Sequence, residues 1–134
     1  IETAQQNSLP FVVHTAVDEY SQPEYVFDVA RDHPDVDFVM VHMGLFSDHR
    51  SATGYVAELP NLHGDTTWVD PAALNAVEVC GSEKILFGTD AIINGIDTYA
   101  SYDDLLVELS TRLEAEVSQN ILWRNAARLF RVDV

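Results

Sequence analysis

The sequence predicts an α/β protein built on a parallel sheet, and three observations carry that prediction. Short apolar runs begin near Pro10, Asp37, Asn61 and Lys84, in steps of 27, 24 and 23 residues, the length of one βα unit. Segments with helical spacing lie between some of them: Pro23 to Asp32 with Tyr25, Val26, Val29 and Ala30, and Pro71 to Val79 with Leu74, Ala76 and Val77. Three of the runs stop at a side chain able to do chemistry. Pro10 to Val13 stops at His14, Asp37 to Val41 at His42, and the stretch KILFGTD at Asp90.

In chain order, the first helix closes at His33-Pro34, because proline disfavours helix at the residue before it. His33 then falls on a turn at the end of the sheet opposite the strand tips. After His42 come Met43 and Gly44, and the chain turns through Ser47, Asp48, His49 and Arg50 towards Glu58. At a strand's carboxyl end such residues contact substrate, so His49 and Arg50 are candidates to hold an anionic one; the alternative makes them surface residues of an ordinary helix. Asn61 to Thr67, NLHGDTT, is the least apolar strand. His63 lies early in it, whereas Asp65, Thr66 and Thr67 lie near its end, where they either orient a ligand histidine or saturate backbone groups of the next turn. Asp70-Pro71 opens a helix with an acid at the cap and proline at its first position.

Cys80, between Val79 and Gly81, reads as a buried filler at a helix end. In Lys84 to Asp90 a buried strand delivers a carboxylate, unless Asp90 only caps the following segment. Ala91 to Ser101 is a loop long enough to cover a pocket. Tyr102 to Leu113 is an amphipathic helix with Leu105, Leu106, Leu109 and Leu113 on one stripe. Val117 to Phe130 is a last helical segment that turns Ile121, Leu122, Ala126, Leu129 and Phe130 inward, with Arg124, Arg128 and Arg131 towards its end.

Composition bounds the function. The 134 residues, 47% of them hydrophobic, suffice for a single domain over 1–134 with a real core, but eight βα units need about 250 residues. The formal charge is -15 and Lys84 is the only lysine, a balance that repels nucleic acid and anionic membranes. No run approaches the roughly 18 apolar residues of a membrane span, and no signal peptide opens the chain, which starts at Ile1 and not at Met. With a single cysteine, a cytoplasmic setting is the expectation. Imidazoles and a carboxylate arriving on strand tips from distant parts of a chain are how a barrel enzyme assembles a zinc-type or iron-type site.

Five segments, LPFVVHT (9–15), HPDVDFVMVHMG (33–44), NLHGDTTW (61–68), EKILFGTDA (83–91) and NAARLF (125–130), follow the order and spacing of the amidohydrolase superfamily. The chain resembles its amidohydrolase-related branch of metal-dependent hydrolases, lactonases and decarboxylases. The resemblance implies a (β/α)8 TIM-barrel type fold, with this chain covering about strands five to eight and their helices. It implies that His14 and Asp90 ligate a divalent metal, most often zinc. It gives Asp90 the proton of the attacking water, and His42 contact with substrate or proton transfer.

The implied reaction is hydrolysis of a small carboxylate, lactone or amide through a metal-activated water, or, as the alternative, decarboxylation. The branch's His-x-His pair and strands one to four have no counterpart here. Hence the missing amino-terminal half, or a second copy of the chain, is expected to complete the barrel. An inactive half-barrel that binds a partner is the remaining reading. The carboxylated lysine of two-metal members is not Lys84, which begins its strand at the wrong end.

Overall fold

The computed structural model describes residues 1–69, 72–91 and 102–133. A short helix α1 (Glu2–Asn7) leads into β1 (Phe11–Ala16), α2 (Pro23–Asp32), β2 (Phe38–Leu45), α3 (Arg50–Glu58), β3 (Leu62–Asp65), α4 (Ala72–Cys80) and β4 (Ile85–Leu86). The carboxyl-terminal part adds α5 (Asp103–Arg112), α6 (Ala115–Gln119), a π-helical turn over Asn120–Arg124 and α7 (Asn125–Phe130). All four strands run parallel in the order β1-β2-β3-β4. Strand order equal to chain order is what successive right-handed βα crossovers produce.

Alternation along the strands sorts the side chains into two layers. Phe38, Met40, Leu62 and Ile85 join Val26, Ala30, Val56 and Leu105 in the main core between sheet and helices. Val39 and Leu86 face the other way and meet Leu129 of α7. That second face is covered at its amino end by α7 and is bare at β1, where Val12 is 49% exposed. The strand run Lys84 to Asp90 is shorter than its apolar residues suggest. A 3₁₀ turn takes up Ser82–Lys84, two residues pair as strand, and Phe87 donates its N–H to the Ile121 carbonyl in place of a sheet neighbour.

The segment after Arg50 is helical, so Arg50 is the first residue of α3. In α2 the buried residues are Val26, Phe27 and Ala30, while Tyr25 and Val29 stand exposed. They help line a 190 Å³ hollow with Phe11, Val13 and Phe38 beside the unpaired edge of β1. The last helical segment is broken by the π turn, and Phe130 points to solvent. The break has a use: π geometry places residues five apart on one side, and Asn120 and Asn125 both reach the Ser82–Ile85 segment. Asn120 Nδ2 donates to Ser82 Oγ and Glu83 Oε1, and Asn125 Nδ2 to the Ser82 and Ile85 carbonyls.

His33 sits exposed at the end of α2, and Cys80 is half-buried with its thiol on the Thr53 carbonyl. Burial pushes that thiol's pKa up to about 11, which leaves it inert at neutral pH. Asp70-Pro71 and most of the Ala91 to Ser101 loop fall outside the described residues. Among the described residues no helix is long and apolar enough to cross a membrane.

Candidate active site at the strand tips

His14 comes from β1 and His42 from β2, and their rings meet edge to face with centroids 4.9 Å apart. Strict alternation would not put them together. Phe38 and Met40 face the helices, so His42 would follow them into that layer. The pairing jumps from His14↔Val41 to Ala16↔Leu45, so that β2 carries a bulge spanning His42, Met43 and Gly44. All three have positive φ, at 69°, 47° and 84°. The bulge shifts the alternation by one: Met43 enters the helix-side core, packing over Gly64, and His42 turns to His14.

A bulge of this kind persists only when its neighbours hold it. On one side Thr15 Oγ1 donates to the Val41 carbonyl and accepts from Gly44 N, both at 2.8 Å. On the other, Asp65 Oδ1 accepts from His42 N at 2.9 Å and from Thr67 N at 3.1 Å, while Thr67 Oγ1 donates to Oδ2 at 2.8 Å. Burial raises the Asp65 carboxyl above the ordinary aspartate range, and these bonds oppose the shift. Gly88 is confined by the same group, since a Cβ there would lie 2.3 Å from Thr67 Oγ1 and 2.6 Å from Asp65 Oδ2.

The His42 ring is buried, and its Nδ1 lies 3.1 Å from the Thr67 carbonyl. A carbonyl only accepts, so Nδ1 carries the proton and Nε2 of the neutral ring keeps its lone pair for a substrate proton or a ligand. Asp90 follows β4 with φ 52° and accepts from Trp68 Nε1 at 3.2 Å. Trp68 is adjacent to Thr67, so the two imidazoles and the carboxylate form one contiguous set linked through the end of β3.

The other sequence candidates fall differently. Asp65 holds the His42 backbone, not its ring, and Thr66 ties β3 to β4 by donating N–H to the Leu86 carbonyl and accepting from Gly88 N. His49 places Nδ1 against the Met43 carbonyl at 3.1 Å. Arg50 is exposed, pairs with Asp48 and, with His49, lines an outer hollow between α3 and α4 apart from the imidazole pair. The structure does not bring Arg50 into the strand-tip set. Thr15, Trp68 and Gly88 carry the geometry as well, without standing among the sequence candidates, and Thr67 holds the His42 ring through its carbonyl. Their only sequence signal is position, each lying within three residues of a strand end.

Among the described residues no three histidine, cysteine or acidic side chains converge closely enough to hold a metal ion. His14 and Asp90 are donors of the right kind for a divalent ion, but they supply only part of a ligand set.

None of the curated proteins matches the chain. Solved structures do. An amidohydrolase from Burkholderia multivorans with bound zinc superposes with a TM-score of 0.76 at 18% identity, over 98% of this chain and 55% of its own. An amidohydrolase from Bifidobacterium longum subsp. infantis gives 0.72 at 18%, over 98% and 53%, and a 5-carboxyvanillate decarboxylase from Sphingomonas paucimobilis 0.68 at 17%, over 98% and 52%. At these identities the likeness is one of fold, and the chain spans about half the length of these proteins. The parallel sheet and its helices are thus a half-barrel of the (β/α)8 type. A family model described as amidohydrolase matches residues 1–132, and the chain belongs to that family.

Proposed function

We propose that this chain is the catalytic carboxyl-terminal half of a metal-dependent, cytoplasmic enzyme that decarboxylates a small carboxylate, with hydrolysis of a lactone, amide or related carboxylate as the second reading. The observation that carries the proposal is the strand-tip set itself. His14 and His42 are in ring contact, His42 is turned by its bulge so that Nε2 is available, and Asp90 is joined to them through Thr67-Trp68. Several decarboxylases among the structural relatives favour the first reading, and amidohydrolases favour the second.

His14 and Asp90 would hold a divalent ion, zinc or manganese, with further donors supplied by the half of the barrel outside this chain. Bound there, the ion supplies charge stabilisation to the substrate's oxygen atoms. The chain's own residues then have separable tasks. In decarboxylation the bond between carbon and carboxyl breaks, carbon dioxide leaves, and the electron pair left on carbon takes a proton from protonated Asp90, or from His42 Nε2 once that nitrogen has accepted a proton from the substrate. In hydrolysis Asp90 takes the proton of the attacking water and passes it to the leaving group, while His42, when protonated at Nε2, donates to the developing oxyanion.

The bare face at Val12 and the hollow beside β1 fit a covering segment, and we assign it to the amino-terminal half of the same barrel. The test uses the intact protein. Metal content is measured first, then carbon dioxide release from a panel of aromatic carboxylates against ring opening of lactones, each repeated with His14→Ala. Metal loss and loss of carbon dioxide release in the variant support the proposal. Metal-free active protein, or activity indifferent to His14→Ala, rules it out.

A further inference from the structure

Trp68 is a large aromatic side chain hydrogen-bonded directly to a candidate catalytic group. Its neighbours Thr67 and Val69 are 1% and 2% exposed, whereas Trp68 is 41% exposed. A tryptophan in this place leaves about two-fifths of its surface open. Its φ is 59°, a left-handed conformation unfavourable for any residue with a Cβ, and the residue it contacts, Asp90, has φ 52°. Two strained residues joined by one hydrogen bond at the tips of adjacent strands mark a geometry that the surroundings enforce.

The enforcement is visible. Trp68 N donates to the Tyr102 hydroxyl at 3.0 Å, and Tyr102 is itself buried at the edge of the main core against Phe87. The preceding residue, Thr67, is pinned by Asp65. The indole is therefore held from both sides of its own backbone and aims Nε1–H at Asp90 Oδ2. An indole N–H only donates, so it engages a carboxylate lone pair and cannot exchange a proton with it at neutral pH. It occupies one oxygen and fixes the carboxyl plane, leaving the second oxygen for chemistry.

We propose that Trp68 is a positioning residue for Asp90: it holds Oδ2, presents Oδ1 to the substrate space, and its exposed ring forms one wall of that space. The assignment rests on the functional reading above for what Asp90 does, but not for the contact itself. The test separates the two. This chain holds two tryptophans, Trp68 and Trp123, and in the nitrogen-15 correlation spectrum of the intact protein Trp68→Phe and Trp123→Phe each identify one indole N–H signal by its loss.

In the intact protein, Asp90→Asn should move the Trp68 indole signal and leave that of Trp123 in place. Trp68→Phe keeps the ring wall and removes the donor. It should weaken zinc binding, measured with zinc chloride alone, about 10–100-fold, the range for partners that orient a ligand, with an unchanged thermal midpoint. An indole signal indifferent to Asp90→Asn overturns the proposal, as does wild-type zinc affinity in Trp68→Phe. If the wild-type protein binds no zinc, the metal reading of the previous section falls, and the indole response alone decides the role of Trp68.

Discussion

The two ends of the sheet are built from the same residue types to opposite effect. At the amino end, long polar side chains go mainly to carbonyls. Asn61 Nδ2 donates to the carbonyls of Ala30, His33 and Val36, and Lys84 Nζ to those of Leu59, Pro60 and Leu62. Arg128 clasps Glu83 through side chain and backbone. At the carboxyl end the backbone is strained. Of the eight non-glycine residues with positive φ among the described ones, six are His42, Met43, Phe46, His49, Trp68 and Asp90, all beyond or at the end of a strand. The remaining two, Ser8 and Arg131, close helices. One end spends its hydrogen bonds on joining strands to helices, and the other spends them on holding side chains in unfavourable backbone so that they face a common space.

If the ends differ in task, substitutions should separate activity from stability. The largest effect is expected from His42→Ala in the intact protein. Turnover should fall about 10²–10⁴-fold, the usual contribution of a proton-transfer group, with little loss of thermal stability. A tenfold loss or less would dissolve the contrast.

Next comes Asn61→Ala at the other end, which strands buried carbonyls and should lower unfolding free energy by roughly 3 kcal/mol, read from urea denaturation, while leaving turnover unchanged. Gly88→Ala sharpens the comparison because it pushes on Asp65 and Thr67 behind the site. We expect a cost of about 1–3 kcal/mol and a clear drop in turnover together, and a neutral Gly88→Ala would show the latch to be loose.

The smallest effect concerns His63, buried at the amino end on Asp37 at 3.3 Å with its Nδ1 unpartnered. Burial, then the nearby Lys84 charge, lowers its pKa below 6.5, against the pull of Asp37. As pH falls below 6.5 the unfolded chain takes up a proton before the native one does. Stability from this site is therefore full above pH 6.5 and declines as pH drops towards the lowered value. His63→Gln should flatten that decline, measured as urea midpoints over the range just below pH 6.5, and an unaltered slope would place the titration elsewhere.

Much of this was readable from residues. All four strands begin within a residue of the apolar runs that announce them, because a buried parallel strand must be apolar whatever surrounds it. β4 was overread, since the same rule cannot distinguish two paired residues from seven when Phe87 finds its partner in the π turn. That turn was invisible because Val117 to Phe130 keeps helical spacing on either side of it. In α2 the apolar stripe was misjudged at Tyr25, Val29 and Phe27, as helical periodicity gives a face but not which edge of it meets the core.

Local chemistry by itself determined the order of βα units, the placing of His14, His42 and Asp90 towards the carboxyl side of the sheet, and the exclusion of Lys84 from the site, because these follow from the directionality of a strand; the strand ends differ, since β1 runs on to Ala16, β2 to Leu45, and β4 stops at Leu86. Only the tertiary structure decided that His42 faces His14. One slip in strand pairing reverses every side chain beyond it, and that slip is set by Thr15 and Asp65, which lie 27 residues before and 23 residues after His42 and meet it only across neighbouring strands.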